Sequence, residues 1–350
     1  MSTQTVARRV LLLAVSVFLV LASTTACGSS SSSKAAASGP VQTKTNLTIG
    51  VSAAIEVEAL PQIAMLNDEF SKENLNVTVK SVPSASVPQL LAQGTIQIAC
   101  TGLSGGQLNA IQSGVDLRII GNAVDLAPND PSGLWINKKF LKADGSLKKP
   151  FPSDFKLSLG NQGLGAVSAY WTQQYLKQNG VSLANIKNID LSQSDIAVAL
   201  QNGSIDAGFA NDPYSGTLVG NPDLRMVAKS GAALVYETTG TYIAHHNDVV
   251  QAALRAMLRA TQTYVKPGYR NDAKVMDQLS AWLHVPTATI DKAPAPVFLP
   301  TMSLDMLKPV YDGVQDIWIQ AGIVSYKKPI SYNVVTDPRP LAAAVHSAHA

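Results

Sequence analysis

One phrase of the sequence occurs twice, and this duplication limits the possible folds more than any other feature. The segment LAQGTIQIACTG at residues 91–102 returns, with substitutions, as LQNGSIDAGFAN at residues 200–211. An offset of roughly 110 residues is too long for a solenoid repeat, whose period is about 20–50 residues. Two further pairs of segments keep nearly the same offset: LTIGVS (47–52) with LSLGNQ (157–162), and VDLRIIG (115–121) with PDLRMVA (222–228). The sequence therefore predicts a duplicated lobe.

Both copies show the same order of elements. A short apolar strand is followed by a helix with apolar residues at a spacing near 3.6, a second strand, a second helix and a third strand. Ser86 and Ser192 occupy N-cap positions of the second helices, and each of these helices ends at a repeated glycine, Gly94 or Gly203. Strands that alternate with helices across short links pair in parallel through right-handed crossovers. Each copy is therefore predicted to be a parallel-sheet α/β lobe.

The pattern becomes helical after residue 240. The segment NDVVQAALRAMLRATQTYVKPG places Val250, Leu254 and Met257 on an inward face, with Arg255 and Arg259 on a solvated face. These helices are expected to pack on the first copy, so that the chain crosses twice between the lobes. The predicted division is 45–130 plus 242–340 for lobe 1, 131–241 for lobe 2, and 341–350 for a frayed tail.

The first 44 residues have the composition of an export and anchoring segment. Arg8 and Arg9 precede the apolar run VLLLAVSVFLVLA, as in a secretory signal. The following STTACGSSSSSK resembles the lipobox of bacterial lipoproteins, which implies removal of residues 1–26 and palmitate-type lipidation of Cys27. Residues 27–44 would form a flexible tether rich in Ser and Ala. The expected location is the extracytoplasmic face of the cell membrane, with contact to the membrane through the lipid alone.

Composition excludes several classes of protein. The net charge is +3 over 350 residues and the basic residues are scattered, which argues against nucleic acid as a partner. Beyond residue 22 the sequence has no apolar run of the roughly 20 residues that span a bilayer. Cys100 is expected to be small buried filler. The five His residues show no metal-ligand spacing, and no cofactor is indicated.

The span from about 45 to 340 resembles the periplasmic substrate-binding proteins of ABC importers. The nearest branch is the one that binds nitrate, sulfonates, taurine or thiamine-pyrimidine precursors. The resemblance is carried by LPQIAMLNDEFSKENLNVTV, QLLAQGTIQIACTG, ALQNGSIDAGFANDPY and AGIVSYKKPISYNVVTDPRPL. It implies a type II periplasmic-binding-protein fold, two α/β lobes joined by a two-strand hinge. It also implies a monomer without catalytic activity that closes around a small ligand and delivers it to an ABC permease and its ATPase.

In open α/β sheets, ligands bind beyond the carboxyl ends of the strands. The strand-end loops of both copies are therefore the candidate ligand site. Hydroxyls and amides would take an oxyanion or carbonyl, Asp212 and Glu56 an amine or ring N–H, and Tyr214, Tyr170 or Trp171 a flat ring. The candidates are Ser52, Ala53, Ala54, Glu56, Thr101, Gly102, Ser104, Asn161, Gln162, Gly163, Gly165, Ala166, Asn211, Asp212 and Tyr214.

Three other functions compete with this interpretation. GLSGG at 102–106 matches the G-x-S-x-G nucleophile elbow, with Ser104 as the nucleophile of a hydrolase and His245 or His246 as its base. Thiamine-pyrimidine synthases resemble the same binding proteins, but their cysteine-rich motif is absent from this sequence. A lipoprotein that senses a ligand without a transporter is the third alternative.

Overall fold

The structure, a computed structural model, describes residues 39–348 except residues 128, 149–155, 232 and 293. The predicted signal peptide, the lipidation site at Cys27 and most of the tether lie outside these residues. Gly39 and Val41, which the sequence assigns to the tether, pack on the body. The backbone N–H of Val41 donates to the carbonyl oxygen of Glu73, and the Arg255 guanidinium donates to that of Gly39.

The described strands and helices alternate through the first 230 residues, and helices dominate afterwards. The strands are β1 (Thr45–Val51), β2 (Leu75–Ser81), β3 (Ile98–Gly102), β4 (Leu117–Asn122), β5 (Val124–Asp125), β6 (Gly133–Asn137), β7 (Leu157–Asn161), β8 (Ile186–Asp190), β9 (Ala207–Ala210), β10 (Leu224–Lys229), β11 (Leu234–Thr239) and β12 (Val297–Phe298). The helices are α1 (Leu60–Leu66), α2 (Val87–Ala92), α3 (Gly105–Gln112), α4 (Val167–Gln178), α5 (Gln193–Gln201), α6 (Gly240–Thr263), α7 (Ala273–Leu283), α8 (Thr287–Ile290), α9 (Leu307–Gln320), α10 (Tyr332–Val335) and α11 (Arg339–Ala348).

Two five-stranded sheets have the same topology. The first has the order β2-β1-β3-β11-β4, and the second, read from β8, has the order β8-β7-β9-β6-β10. In both sheets the first three strands are parallel, as the sequence predicts. The fourth strand, β11 or β6, runs antiparallel to both of its neighbours. The lobes are thus duplicated as predicted, but their sheets are mixed rather than purely parallel.

The fourth position of each sheet is filled by the strand that follows a crossing between the lobes. The chain crosses first between β5 and β6 and returns between β10 and β11. The two crossing segments are hydrogen-bonded, since the backbone N–H of Ser230 donates to the carbonyl oxygen of Ser132 at 2.9 Å. Because β11 pairs in the first sheet, the return crossing precedes the boundary expected at 241.

The repeated phrase has the same packing role in both lobes. Gly94 and Gly203 adopt positive φ, at 68° and 74°, and so end α2 and α5 as predicted. The isoleucine two residues later, Ile96 or Ile205, lies against the glycine of the first strand. A Cβ on Gly50 would come within 2.8 Å of Ile96 Cδ1, and one on Gly160 within 2.7 Å of Ile205 Cδ1. Each Gly–Ile pair therefore lets a helix end lie close to its sheet.

The two predicted N-caps behave differently. The Ser192 hydroxyl accepts a hydrogen bond from the backbone N–H of Asp195 at 3.2 Å, which caps α5. Ser86 occupies the corresponding position before α2, but its side chain makes no capping hydrogen bond. The residue type thus identifies the start of both helices, whereas the side-chain bond forms at only one of them.

The helices after residue 240 pack on lobe 1, as expected. However, the face of α6 that the sequence predicts to be solvated is partly buried. Arg255 is 3% exposed, and its guanidinium contacts the Glu73 carboxylate at 2.7 Å. Arg259 contacts Glu69 at 2.9 Å and Glu73 at 2.5 Å. The short segment Ser71–Glu73 covers this face and supplies the carboxylate that Arg255 needs in a buried position. The prediction of a solvated face was therefore wrong for Arg255.

The last described residues are helical rather than frayed. Helix α11 packs on α6, and Leu341 and Ala344 are buried in this contact. An apolar stripe at helical spacing explains the order, and the predicted tail at 341–350 is wrong as far as residue 348.

Other sequence-based expectations concern the whole chain. Within the described ranges, no helix is long and apolar enough to cross a membrane. The same residues contain no group of three or more His, Cys, Asp or Glu side chains placed to hold a metal ion. Cys100 is buried in the core of lobe 1, and burial raises the pKa of its thiol well above the usual value. The expectation of buried filler is therefore confirmed.

Candidate ligand-binding cleft

A cavity of about 310 Å³ lies between the two lobes, within the size range of small-molecule sites. Loops that follow β1 and β3 of lobe 1 face loops that follow β7 and β9 of lobe 2, and both crossing segments contribute to the wall. The cavity is lined by Ser52, Ala53, Ile55, Val57, Glu58, Ser84, Ala85, Gly102, Leu103, Ser104, Gly106, Val124, Leu126, Ser132, Gln162, Gly163, Gly165, Ala166, Val167, Ser168, Phe209, Asn211, Asp212, Ser230, Gly231, Ala233 and Leu234.

The structure brings most of the candidate site residues together at this cavity. The candidates that line it are Ser52, Ala53, Gly102, Ser104, Gln162, Gly163, Gly165, Ala166, Asn211 and Asp212. The candidates that do not line it are Ala54, Glu56, Thr101, Asn161 and Tyr214. The duplicated strand-end loops thus converge as expected, because the two sheets present corresponding edges to each other.

Glu56 is separated from the cavity by its own ion pair. It is fully buried, and its Oε1 accepts hydrogen bonds from the Tyr269 hydroxyl at 2.5 Å and from Arg270 Nε at 3.0 Å. Its Oε2 contacts the terminal nitrogen of Arg270 at 2.5 Å. The expected contact of Glu56 with an amine is therefore not supported, since its carboxylate is already engaged by Arg270 and Tyr269.

The aromatic candidates belong to the packing around the cleft. Tyr214 packs against the core of lobe 2. Tyr170 is buried beside α9, and its ring lies edge-on to Trp171, at 4.6 Å between centroids. Trp171 covers Gly231, where a Cβ would come within 2.5 Å of the indole ring. None of the three lines the cavity, so a stacking role for them stays a prediction.

Two polar candidates, Thr101 and Asn161, are buried behind the cavity wall. Asn161 Oδ1 accepts hydrogen bonds from the Gln162 backbone N–H at 2.7 Å and from the Ser168 hydroxyl at 3.0 Å. Asn161 therefore positions two lining residues instead of facing the cavity itself.

The lobes touch directly at one side of the cavity. The backbone N–H of Gly105, at the start of α3, donates to the carbonyl oxygen of Gly165 before α4 at 2.8 Å. Ser104 and Ala166 form an isolated antiparallel bridge at the same place. The strand-end loops are therefore in contact, and the cleft is narrow at this side.

Glu58 is the most chemically significant residue that the sequence analysis missed. It is 2% exposed and lines the cavity. Its carboxylate accepts hydrogen bonds from the backbone N–H groups of Ser52 at 2.6 Å and Ala53 at 2.9 Å, and from the Ser52 hydroxyl at 2.6 Å. Burial nevertheless raises the pKa of Glu58 to about 7.

Nothing local in the segment IEVEA separates Glu58 from Glu56. Both lie in one short turn, Glu56–Glu58, but Glu56 contacts Tyr269 and Arg270 whereas Glu58 contacts Ser52 and Ala53. The strand-end loops predicted from the sequence do not include the crossing segments, which contribute Ser132, Ser230 and Gly231 to the cavity. Their position could have been inferred, because a chain that crosses twice between two lobes must run along the floor of the cleft.

Asp212 supplies a carboxyl from lobe 2. It is 3% exposed, and its Oδ1 accepts a hydrogen bond from the Ser215 hydroxyl at 2.5 Å. Its backbone N–H donates to the Ser132 hydroxyl at 3.1 Å. Burial, together with the nearby Asp130 carboxyl, raises the pKa of Asp212 to about 8.

Ser104 has the environment of a helix cap. Its hydroxyl accepts from the backbone N–H of Gln107 at 3.3 Å, and the Gln107 side chain accepts from the Ser104 N–H at 2.7 Å. This reciprocal pair is a capping box for α3. Among the described residues that line the cavity there is no His, so the arrangement around Ser104 lacks the base that a nucleophile elbow requires.

The two duplicated lobes, the double crossing and the cavity between strand ends define the type II periplasmic-binding-protein fold. Solved structures of periplasmic binding proteins have the same fold. The periplasmic nitrate-binding protein NrtA from Synechocystis PCC 6803 is 13% identical, with a TM-score of 0.65 over 88% of this chain and 90% of that one. The periplasmic aliphatic sulphonate binding protein SsuA from Escherichia coli is 16% identical, with a TM-score of 0.60 over 83% and 92%.

An enzyme also has this fold. The desulfurization enzyme DSZB is 13% identical, with a TM-score of 0.56 over 86% of this chain and 99% of that one. Among curated protein sequences, none matches this chain significantly. The NMT1-like family matches residues 41–276, more than half of the sequence. The chain therefore belongs to the NMT1-like family.

Proposed function

We propose that this protein is the extracytoplasmic solute-binding component of an ABC importer. It would capture a small organic or oxyanionic ligand in the interlobe cleft and release it to a permease, without making or breaking bonds. The observation that supports this function best is the cavity itself, which is lined by strand-end loops from both duplicated lobes. A ligand there contacts both lobes and favours the closed arrangement over an open one.

Related proteins support the same proposal. NrtA is a periplasmic nitrate-binding protein, and SsuA is a periplasmic aliphatic sulphonate binding protein. DSZB is an enzyme of the same fold, so the absence of catalysis is part of this proposal; the capping role of Ser104 supports it.

Binding is tested by thermal unfolding of the full chain with a panel of sulfonates, taurine, nitrate, pyrimidine precursors and purines. A ligand at one hundred times its Kd stabilises the folded state by about 2.7 kcal/mol, which gives a measurable rise in Tm. Ala53→Trp places an indole in the cavity and should abolish that rise, whereas Ala342→Trp, on the exposed side of α11, should preserve it. A panel without any stabilising solute, or stabilisation that persists in Ala53→Trp, would contradict the proposal.

The export and anchoring of the chain are a second part of the proposal. Residues 1–26 would direct secretion, and Cys27 would carry the lipid that holds the body at the outer face of the membrane. Mass spectrometry of the mature protein should find Cys27 as the diacylated first residue. Cys27→Ser should move the protein from the membrane fraction to the soluble fraction, and an unchanged distribution would contradict lipid anchoring.

The importer is distinguished from a sensor by its dependence on the permease. Deletion of the cognate permease should abolish uptake of the radiolabelled ligand found in the panel, while binding by the isolated protein is retained. Uptake or growth that is unaffected by the deletion would favour a sensing lipoprotein.

A further inference from the structure

The cavity between the lobes is acidic. Its lining contains two ionisable side chains, Glu58 from lobe 1 and Asp212 from lobe 2. No Lys, Arg or His is present among the described residues that line it. The remaining polar groups are hydroxyls and amides, and the rest of the wall is apolar, including Val57, Leu103 and Phe209. A charged ligand in this cavity therefore meets two carboxyls without a compensating cation.

Asp212 has unused hydrogen-bonding capacity. Its Oδ1 is engaged by Ser215, but its buried Oδ2 has no hydrogen-bond partner among the described residues. A carboxylate oxygen that is buried without a donor costs free energy, since it has lost water and gained nothing in exchange. Asp212 lines the cavity, so a rotation of its carboxyl toward the cavity would let this oxygen accept a hydrogen bond from a ligand N–H group.

The charged groups near Asp212 leave its Oδ2 without a hydrogen-bond donor among the described residues. Asp130 and Glu56 raise the pKa of Asp212, and Arg270 lowers it, although burial has the largest effect. The Arg270 guanidinium contacts both Glu56 oxygens, and it does not line the cavity. The balance of charge around Asp212 is thus negative when its carboxyl is ionised.

Glu58 faces the same cavity from the other lobe. It accepts hydrogen bonds from Ser52 and Ala53, which hold its carboxylate in place at the wall. Each lobe thus contributes one carboxyl to the same cavity. A positive ligand in the cavity is attracted by the ionised form of both groups.

We propose that the cleft binds a small organic cation, a protonated amine, amidine or ring nitrogen, which Asp212 and Glu58 contact from opposite lobes. The proposal rests on the solute-binding function proposed above and specifies the class of ligand. Charge-assisted hydrogen bonds from N–H⁺ groups to carboxylates are short and strong. The apolar wall accommodates the ring or alkyl part of such a ligand, and the cavity volume suits a single ring with its substituents.

A competing interpretation predicts the opposite ranking of ligands. With a pKa near 8, Asp212 holds a proton at neutral pH and could donate it in a hydrogen bond to an oxyanion such as nitrate or a sulfonate. Cation binding requires the carboxylate form, and so releases a proton at neutral pH. Oxyanion binding retains the proton.

Benzamidine and benzenesulfonate test the two interpretations, because both are flat six-membered rings with one small charged group of opposite sign. Benzamide is the neutral control. The binding of each compound to the full chain is measured by calorimetry at pH 7 in two buffers that differ in ionisation enthalpy. Benzamidine should bind at least tenfold more tightly than benzenesulfonate, with proton release. Asp212→Asn and Glu58→Gln should each weaken benzamidine binding tenfold or more, and Asp223→Asn, on the exposed surface, should not.

The outcomes separate the ligand class from the function. If benzenesulfonate or nitrate binds and benzamidine does not, the protein binds solutes but the cation inference is wrong. If benzamidine binds equally well to wild type and Asp212→Asn, its binding is outside the cleft and the inference is wrong. If neither probe binds, the inference also fails, while the solute panel with Ala53→Trp still decides the function.

Discussion

Asp212 and Glu58 lie on opposite walls of one cavity, and their carboxyl groups differ in the number of hydrogen bonds that they accept. Three donors reach the Glu58 carboxylate, but among the residues that the structure describes only Ser215 donates to that of Asp212. Burial dominates in both cases and raises the pKa of Glu58 to about 7 and that of Asp212 to about 8. At neutral pH both carboxyls are therefore protonated in part, and the proposed cation would displace these protons.

Asp212→Asn should reduce the dependence of stability on pH. Folding raises the pKa of Asp212 from its usual 3.8 to about 8, so the folded state binds the proton more tightly than the unfolded state. The stabilisation is present at low pH and is lost as pH rises between these values, by up to about 1.4 kcal/mol per pH unit. Tm measured from pH 4 to pH 9 should fall less steeply in the variant.

Glu58 and Glu237, whose pKa values burial raises to about 7, contribute to the same slope. The slope in Asp212→Asn should therefore decrease without disappearing. Asp223→Asn, at an exposed position, should keep the wild-type slope. Parallel pH profiles for wild type and Asp212→Asn would contradict the raised pKa of this carboxyl.

For individual residues, the sequence predicts which loops form the cavity better than it predicts which side chains face the cavity. The loops converge because strand ends of duplicated sheets occupy corresponding positions. Glu56 and Glu58 are separated by one residue, and the choice between them is made by Arg270, which is distant in sequence and binds Glu56. Which of the two carboxylates lines the cavity depends on tertiary contacts, and hydrophobic periodicity and turn propensity do not reveal these contacts.

At the scale of elements, the duplicated strand–helix–strand units share one device for close packing. Gly50 and Gly160 leave room on the first strand for Ile96 and Ile205 of the repeated phrase. The isoleucine that fills the space and the glycine that leaves room for it are thus repeated together in both lobes.

Gly160→Ala should destabilise the protein by about 1–3 kcal/mol, the usual cost of overpacking a core. The new Cβ would come within 2.7 Å of Ile205 Cδ1, the atom that Ile205→Val removes. Urea unfolding of the single and double variants should therefore show that Ile205→Val restores part of the stability of Gly160→Ala. Gly106→Ala, whose Cβ meets nothing closer than 3.8 Å, should cause no loss. An additive double variant would contradict the proposed contact.

Ser192→Ala should cost about 1 kcal/mol, since it removes the hydroxyl that caps α5. Ser86→Ala is a matched control from the other copy, because the Ser86 side chain makes no capping bond. Chemical denaturation should give a loss of stability for the first variant and little change for the second. Equal losses at both positions would show that the two caps are equivalent in solution.

The order of elements in each lobe could be predicted from sequence, but the antiparallel strands could not. Strands β6 and β11 have no counterpart at the offset that reveals the duplication, and each occupies its position because the chain has just crossed between lobes. Similarly, α11 is short and small-residue-rich, and only its contact with α6 shows that it is part of the body.

On the scale of the whole molecule, α4 of lobe 2 and α9 of lobe 1 form a second contact between the lobes. Gly313 of α9 lies against the Tyr170 hydroxyl, and a Cβ at this glycine would overlap that oxygen. The surrounding side chains, among them Tyr311 and Trp318, are buried. The fit of these helices therefore affects how far the lobes can close.

Gly313→Ala should hold the lobes further apart. Small-angle scattering of the variant should give a larger radius of gyration than that of wild type. Tyr170→Phe in the same chain removes the oxygen that the Cβ would meet, and should restore part of the compaction. Identical scattering of wild type and Gly313→Ala would show that this contact does not limit closure.

The position of β11 in the first sheet has a consequence for the order in which the lobes can assemble during synthesis. All strands of the second sheet lie between Gly133 and Lys229, so a nascent chain can complete that lobe without any later segment. In the first sheet, by contrast, the position between β3 and β4 stays empty until Leu234–Thr239 has been synthesised and pairs with both strands. Lobe 1, which the chain enters first, is therefore completed last. A chain truncated within lobe 2 would leave the facing edges of β3 and β4 without a partner strand.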